Sequence, residues 1–216
     1  MGKDENRSVG KLQSVLFVCT GNIFRSVTAE YALKARLGPG TSCSVSSAGI
    51  DAKPQSVHDW VQTRLQEKGA DPTRHVQRQL TRELVGAANL VIAMGRDHQV
   101  FVREQFGRDI PLFNQVCLGH DQPILDLHEV MLDWKSDPER ARAYVWSVID
   151  VIWATAPALL PLLRSPGFTP SSASAGSFLD SMDIFSPLIS GNHRNGLLNR
   201  GDVQAHAIFP TAPLAG

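Results

Sequence analysis

Residues 15–26 read VLFVCTGNIFRS: an apolar run ends on Cys19, and Arg25 and Ser26 follow in a Cys-x5-Arg-Ser spacing. A sulfur nucleophile, a guanidinium and a hydroxyl in one short loop suit attack on a phosphoryl group. A loop between a strand end and a helix start lets backbone N–H groups curl around an anion. The helix N-terminus adds partial positive charge there. Such cationic surroundings favour a thiolate, and a thiolate beneath a bound phosphoryl group is placed for in-line attack on phosphorus. Arg25 offers a planar fork that matches two phosphate oxygens. Gly21 permits close backbone approach, and Asn22 tolerates the left-handed region and can pin the loop through its amide. No Gly-Lys-Ser/Thr follows, so this is not a Walker loop. A lone Cys at a strand end would read as a small buried hydrophobe, but packing does not call for Gly21, Asn22, Arg25 and Ser26 beside it.

The elements that must position this loop alternate. Strand-like runs occur at 14–19, 44–47, 90–93 and 110–115. Helical patterns lie at 26–37, 57–69 and 97–106, and a last helix runs from near Pro138 to about Leu163. Alternation of this kind predicts an α/β fold, an open, twisted, four-stranded parallel sheet with helices on both faces. The loop then sits at the carboxyl end of the first strand, where open α/β sheets bind ligands.

The chain has 216 residues and a formal net charge of +0, so no electrostatic case for nucleic acid arises. Three cysteines, Cys19, Cys43 and Cys117, fit a reducing, cytoplasmic setting better than a disulfide framework. The start, MGKDENRSVGKLQ, lacks an apolar signal core. The most apolar stretch, 143–163, contains Asp150, Pro157 and Pro161. It reads as a helix packed on the sheet, not as a membrane span. The expected organisation is a flexible N-terminus over 1–11, a domain over 12–164 and a mostly disordered, Ser/Gly/Pro-rich extension over 165–216.

The loop string does not stand alone. VSSAGI (45–50), GADPTRHVQRQLT (69–81) and ANLVIAMGRDH (88–98) accompany it. Together they resemble the low-molecular-weight protein tyrosine phosphatase family over about residues 12–164. The resemblance implies a Rossmann-like phosphatase fold and a phosphomonoesterase, most simply a protein tyrosine phosphatase. Its substrate would be a phosphotyrosine protein or a small aryl phosphate, with no cofactor and no metal. It also implies roles. Cys19 matches the nucleophile, Arg25 the phosphate-gripping arginine and Ser26 the hydroxyl that supports the thiolate. Thr20, Gly21, Asn22, Ile23 and Phe24 complete the phosphate loop, and Asn22, Ser47 and His75 match a network that holds its shape. The family's general acid is an Asp, usually before Pro, that protonates the leaving oxygen and then activates water. Asp126 and Asp137 are the two candidates. Register favours Asp126, after the apolar triplet in QPILD. Asp137-Pro138 has the usual dipeptide but reads as a helix N-cap and first position. His120, Asp121, Asp126 and His128 lack a tight metal-ligand spacing.

Departures from the family are informative. Lys53 stands where a rim aromatic is usual, and His128 and Glu129 stand where tyrosines follow the acid. Met94-Gly95 replaces a Met-Asp pair, and Val27 replaces a Pro. Three other readings share the loop. A thioredoxin-coupled arsenate reductase needs relay cysteines that residues 95–109 lack. Arginine-preferring phosphatases carry Thr where Ile23 stands. A phosphate-binding module without turnover would show no burst of phenol. Phe24 replaces the family's second cysteine beside the arginine, so mild peroxide is expected to carry Cys19 to sulfenic acid or beyond. Mass spectrometry should then find oxygen adducts on Cys19; an intramolecular Cys19 disulfide is the contrary result.

Overall fold

The computed structural model describes residues 14–37 and 41–164; the expectations for 1–11 and 165–216 lie outside the described residues. Three parallel strands form the sheet: β1 (Ser14–Cys19), β2 (Ser44–Gly49) and β3 (Leu90–Ala93), in the order β2-β1-β3. β1 is central and buried beyond Ser14. Its side chains alternate between two faces, as the strand period requires. Val15, Phe17 and Cys19 join one apolar cluster, whereas Leu16 and Val18 join another. The first cluster is closed by α1 (Arg25–Lys34), α2 (Asp59–Glu67) and α7 (Pro138–Thr155). The second is closed by α3 (Arg82–Ala87) and α4 (Arg96–Phe106). The result is a three-layer α/β/α arrangement with parallel strands, as the alternation predicts.

The expected fourth strand is different. Of residues 110–115, only Leu112 pairs with the sheet, through an isolated parallel bridge to Ala93. From Phe113 the chain is a helix, α5 (Phe113–Leu118), closed by Gly119 in the left-handed conformation. The reason is burial at helical spacing: Phe113, Val116 and Cys117 enter the core together, and Phe113 packs against Phe17. Pro111 keeps its carbonyl in the ladder, accepting from the Ala93 N–H at 2.9 Å. The short α6 (Leu127–Val130) follows α5.

α7 starts as its sequence suggests, with Asp137 accepting from the Arg140 N–H at 3.0 Å and Pro138 in the first turn. It stops at Thr155, earlier than expected. A 3-10 turn (Ala156–Leu159) and the short α8 (Leu160–Arg164) continue the path. Pro157 cannot donate to a helical ladder and accounts for the break. The run 138–163 is long and apolar enough to cross a bilayer. In this fold Ala141, Val145, Val148, Ile149 and Ile152 of α7 are buried in the core. Asp150 on the same helix takes a two-pronged contact from Arg64 of α2, at 3.0 and 2.6 Å, and a third from Lys68 at 2.6 Å. Arg64 and Lys68 therefore tie α2 to α7.

β1 and β2 end together, Cys19 opposite Gly49. A Cβ on Gly49 would lie 2.4 Å from the Thr20 carbonyl oxygen and 2.9 Å from the Asn22 nitrogen. The loop after β1 thus crosses the one position of β2 without a side chain. Gly49→Ala is expected to cost about 1–3 kcal/mol, read as a lower urea midpoint at unchanged slope; an unaltered midpoint counts against this packing.

Candidate active site

The loop Thr20–Phe24 bends back over the end of β1 and delivers Arg25 and Ser26 into the first turn of α1. Asn22 is fully buried and is the one non-glycine with positive φ (54°) among the described residues. Its amide explains the conformation. Nδ2 donates to Ser47 Oγ at 2.7 Å and to Ser26 Oγ at 3.1 Å. Oδ1 accepts from the Arg78 N–H at 3.0 Å, and His75 Nε2 lies 3.2 Å from the Asn22 carbonyl oxygen. Ser47 in turn donates to buried Glu30 at 2.5 Å. Because Ser26 Oγ accepts from Asn22, its own proton is free for Cys19 Sγ at 2.9 Å. The Asn22 N–H also points to that sulfur, at 3.3 Å. Glu30, Ser47, Asn22, Ser26 and Cys19 therefore form one continuous polar chain.

Arg25 is almost entirely buried. Nη1 donates to the Ile124 carbonyl at 2.7 Å, and Nη2 donates to Asp126 Oδ2 at 2.6 Å. Glu129 stands 3.6 Å from Nη1. Arg25 Nε is buried without a partner among the described residues. A buried orphan donor is costly, and an anion over the loop would supply its acceptor. Asp126 is held at the loop edge by its neighbours. Its N–H donates to Glu129 at 2.5 Å, and Tyr144 of α7 donates to the Leu125 carbonyl at 2.9 Å. Burial pushes the Tyr144 phenol up to about 12, so it remains a donor. Asp137 is occupied as the α7 cap. Of the two aspartates, Asp126 is the one the fold brings to Arg25.

Beneath the loop, His98 is fully buried. Its Nδ1 accepts from the Gly95 N–H at 2.8 Å, so Nε2 carries the proton toward Thr20 Oγ1 at 3.0 Å. Asp97 therefore does not ion-pair with that ring, although it lies 3.3 Å away. Burial first, then the Arg25 charge, lower the His98 pKa to about 4. The Met94-Gly95 departure also has a cause. A Cβ at Gly95 would sit 3.0–3.1 Å from this ring.

A cavity of about 480 Å³ opens over the loop. Thr20, Gly21, Ile23, Phe24 and Arg25 form one side, and Asp126 and His128 line it too. Lys53 does not. It is 72% exposed and pairs with Asp51 at 3.2 Å, so the expected rim role is corrected. Trp60 and Trp134 line the cavity instead. Cys43 precedes β2 at the far end of the sheet, roughly 20 Å of extended chain from Gly49. Burial pushes the Cys117 thiol up to about 12. Among the described residues, Cys19, Cys43 and Cys117 are all free thiols. Among the described residues, no three His, Cys, Asp or Glu gather as a metal site.

The family model for low molecular weight phosphotyrosine protein phosphatase matches residues 14–117, the span that contains the loop and its supports. Over that span the chain is similar to this family. It is 37% identical over 97 residues to a protein-arginine-phosphatase of Bacillus subtilis (strain 168), covering 44% of this chain and 63% of that protein. It is 30% identical over 95 residues to the low molecular weight protein-tyrosine-phosphatase Ptp of Acinetobacter johnsonii, covering 44% and 65%. The chain thus spans a little under two thirds of these relatives' length. Among solved structures it is similar to the YwlE arginine phosphatase of Geobacillus stearothermophilus (TM-score 0.59, 27% identity, 70% of this chain and 93% of that one). It is also similar to the tyrosine phosphatase amsI of Erwinia amylovora (TM-score 0.58, 26% identity, 71% and 95%).

The fold brings together the loop, Ser47, His75 and Asp126, which the sequence reads as one site. Sequence reasoning missed Glu30, His98, Tyr144, Trp60 and Trp134. Glu30 had a faint signal, a carboxylate four positions after Ser26 on the same helix. His98 closes the ANLVIAMGRDH string, which was its signal; Tyr144, Trp60 and Trp134 come from distant segments and had none. The His98 imidazole yields a pH test. The unfolded ring takes a proton near 6.5, the folded one only near 4. This contribution to stability is whole above 6.5 and is lost as pH falls toward 4, by up to about 3 kcal/mol. Urea unfolding of the protein and of His98→Asn across pH 7 to 4 should show this slope in the former alone; equal slopes overturn it.

Proposed function

We propose that this chain is a cysteine-dependent phosphomonoesterase that acts on phosphotyrosine or another aryl phosphate. The observation that carries the reading is Cys19 Sγ. It lies at the head of an anion-seeking loop, 2.9 Å from the Ser26 hydroxyl; the same loop leads into Arg25 with its orphan donor, and Arg25 and Asp126 line the cavity over it. In the first step the Cys19 sulfur attacks phosphorus, and the P–O bond to the leaving group breaks in line. Asp126 gives its proton to the departing oxygen. Arg25 and the loop amides stabilise the equatorial oxygens in both transition states. Phosphate entry breaks the Arg25–Asp126 contact, which frees the carboxyl for the proton transfer. In the second step Asp126 takes a proton from water, whose oxygen displaces the sulfur. Ser26 then stabilises the departing thiolate.

The relatives named protein-arginine-phosphatase support a second reading, phosphoarginine. Asp97 and Glu129 at the cavity would suit a guanidinium. Ile23 in the cavity wall favours the aryl reading, because it supplies apolar surface where arginine-preferring members carry Thr. A reducing, cytoplasmic setting with no nucleic-acid or membrane partner accords with the free cysteines and the neutral charge.

The test is turnover of 4-nitrophenyl phosphate. Cys19→Ser is expected to abolish it while inorganic phosphate still binds. Asp126→Asn should lower kcat by roughly 10²–10⁴ and remove one limb of a bell-shaped pH–rate profile. Substantial turnover by Cys19→Ser removes the sulfur from the mechanism. Preferential hydrolysis of a phosphoarginine peptide selects the second reading.

A further inference from the structure

Lys53 lies outside the cavity and Glu129 carries no ring, yet the opening is aromatic. Four rings form a chain along the opening: His58, Trp60, Trp134 and His128. Neighbouring centroids lie 4.7, 6.1 and 5.9 Å apart, each pair edge-to-face. All four residues line the cavity whose floor is the phosphate loop. The first two come from the start of α2, the third from the turn before α7 and the fourth from α6. We infer that Trp60 and Trp134 are the specificity-determining residues of this site, the surface that holds the ring of an aromatic leaving group. The inference rests on the loop being a phosphate seat.

Three observations support it. The rings are held rather than free. His58 caps α2, accepting from the Trp60 N–H at 3.3 Å, and Trp146 of α7 donates to the Trp60 carbonyl at 3.0 Å. Lys135 covers the Trp134 ring at 5.7 Å. Both tryptophans are half-buried, so each still presents ring surface that a ligand could cover. Lys53 is committed to Asp51 outside the cavity. A volume of about 480 Å³ falls within the range of small-molecule pockets and exceeds what a phosphoryl group fills. Large, rigid, edge-paired rings at the mouth are suited to a flat partner, since aromatic pairs gain beyond the area they bury.

The test needs no turnover. The full chain is titrated by calorimetry with benzylphosphonate and with methylphosphonate, which share the phosphate seat and differ by the ring. The wild-type chain is expected to bind benzylphosphonate roughly tenfold or more tightly. The Trp60→Ala/Trp134→Ala double variant should bring the ratio close to one with methylphosphonate affinity unchanged. Equal binding of both ligands by wild type, or an unchanged ratio in the double variant, overturns the inference. If the double variant loses methylphosphonate as well, Trp60→Phe/Trp134→Phe decides. Normal methylphosphonate binding with most of the ratio kept supports the ring surface. Loss of both ligands shows a merely structural role. Ring selectivity without hydrolysis of 4-nitrophenyl phosphate supports the tryptophans and sinks the hydrolase reading instead.

Discussion

A buried carboxamide in the left-handed conformation organises this molecule. Asn22 could relax to an ordinary φ only by breaking hydrogen bonds to Ser26, Ser47 and Arg78 at once. Left-handed backbone at a non-glycine costs on the order of 1 kcal/mol or more and persists only when its surroundings over-determine it. Here they do. The three partners come from α1, β2 and the segment before α3, so three separate parts of the chain fix one residue. The gain is a loop whose donors and sulfur are placed before any ligand arrives, which is how a site avoids reorganisation cost during reaction.

The second constraint is a guanidinium taken out of water. A buried, uncompensated cation is strongly disfavoured. Arg25 meets this through the Ile124 carbonyl, Asp126 and, farther off, Glu129. These partners all lie on the segment that precedes or forms α6, so satisfying Arg25 draws that segment over the loop. The same contact that neutralises the arginine delivers a carboxyl to the site. Burial of the His98 ring, and then the Arg25 charge, keep His98 below the loop uncharged.

α7 is the bracket to which the outer parts of the site are fixed. Its apolar face closes the core around β1 and α1, and its polar groups reach outward at three points. Tyr144 holds Leu125, one residue before Asp126. Trp146 holds the Trp60 backbone. Asp150 draws in Arg64 of α2 and Lys68 just after it. Acid, ring wall and helix pairing thus depend on one element that touches none of the reacting atoms.

The sequence by itself determined the phosphate loop, because Cys19 to Ser26 are neighbours and their chemistry is local. It also determined β1 and β3 and the Asp137–Pro138 start of α7, where periodicity and caps act over a few residues. It resolved Asp126 against Asp137 only as far as register allows. The fold decided the rest through contacts made at long range. Residues 110–115 read as a strand, but Phe113, Val116 and Cys117 find their core as a helix. Lys53 occupies an expected rim position, but an ion pair with Asp51 accounts for its side chain. Trp60 and Trp134 are 74 positions apart and carry no shared pattern. Only the packing of α2 against α7 and the tight turn after α6 bring them to one opening. Local chemistry is written in adjacent letters, whereas a binding wall exists only after distant segments have buried their apolar faces together.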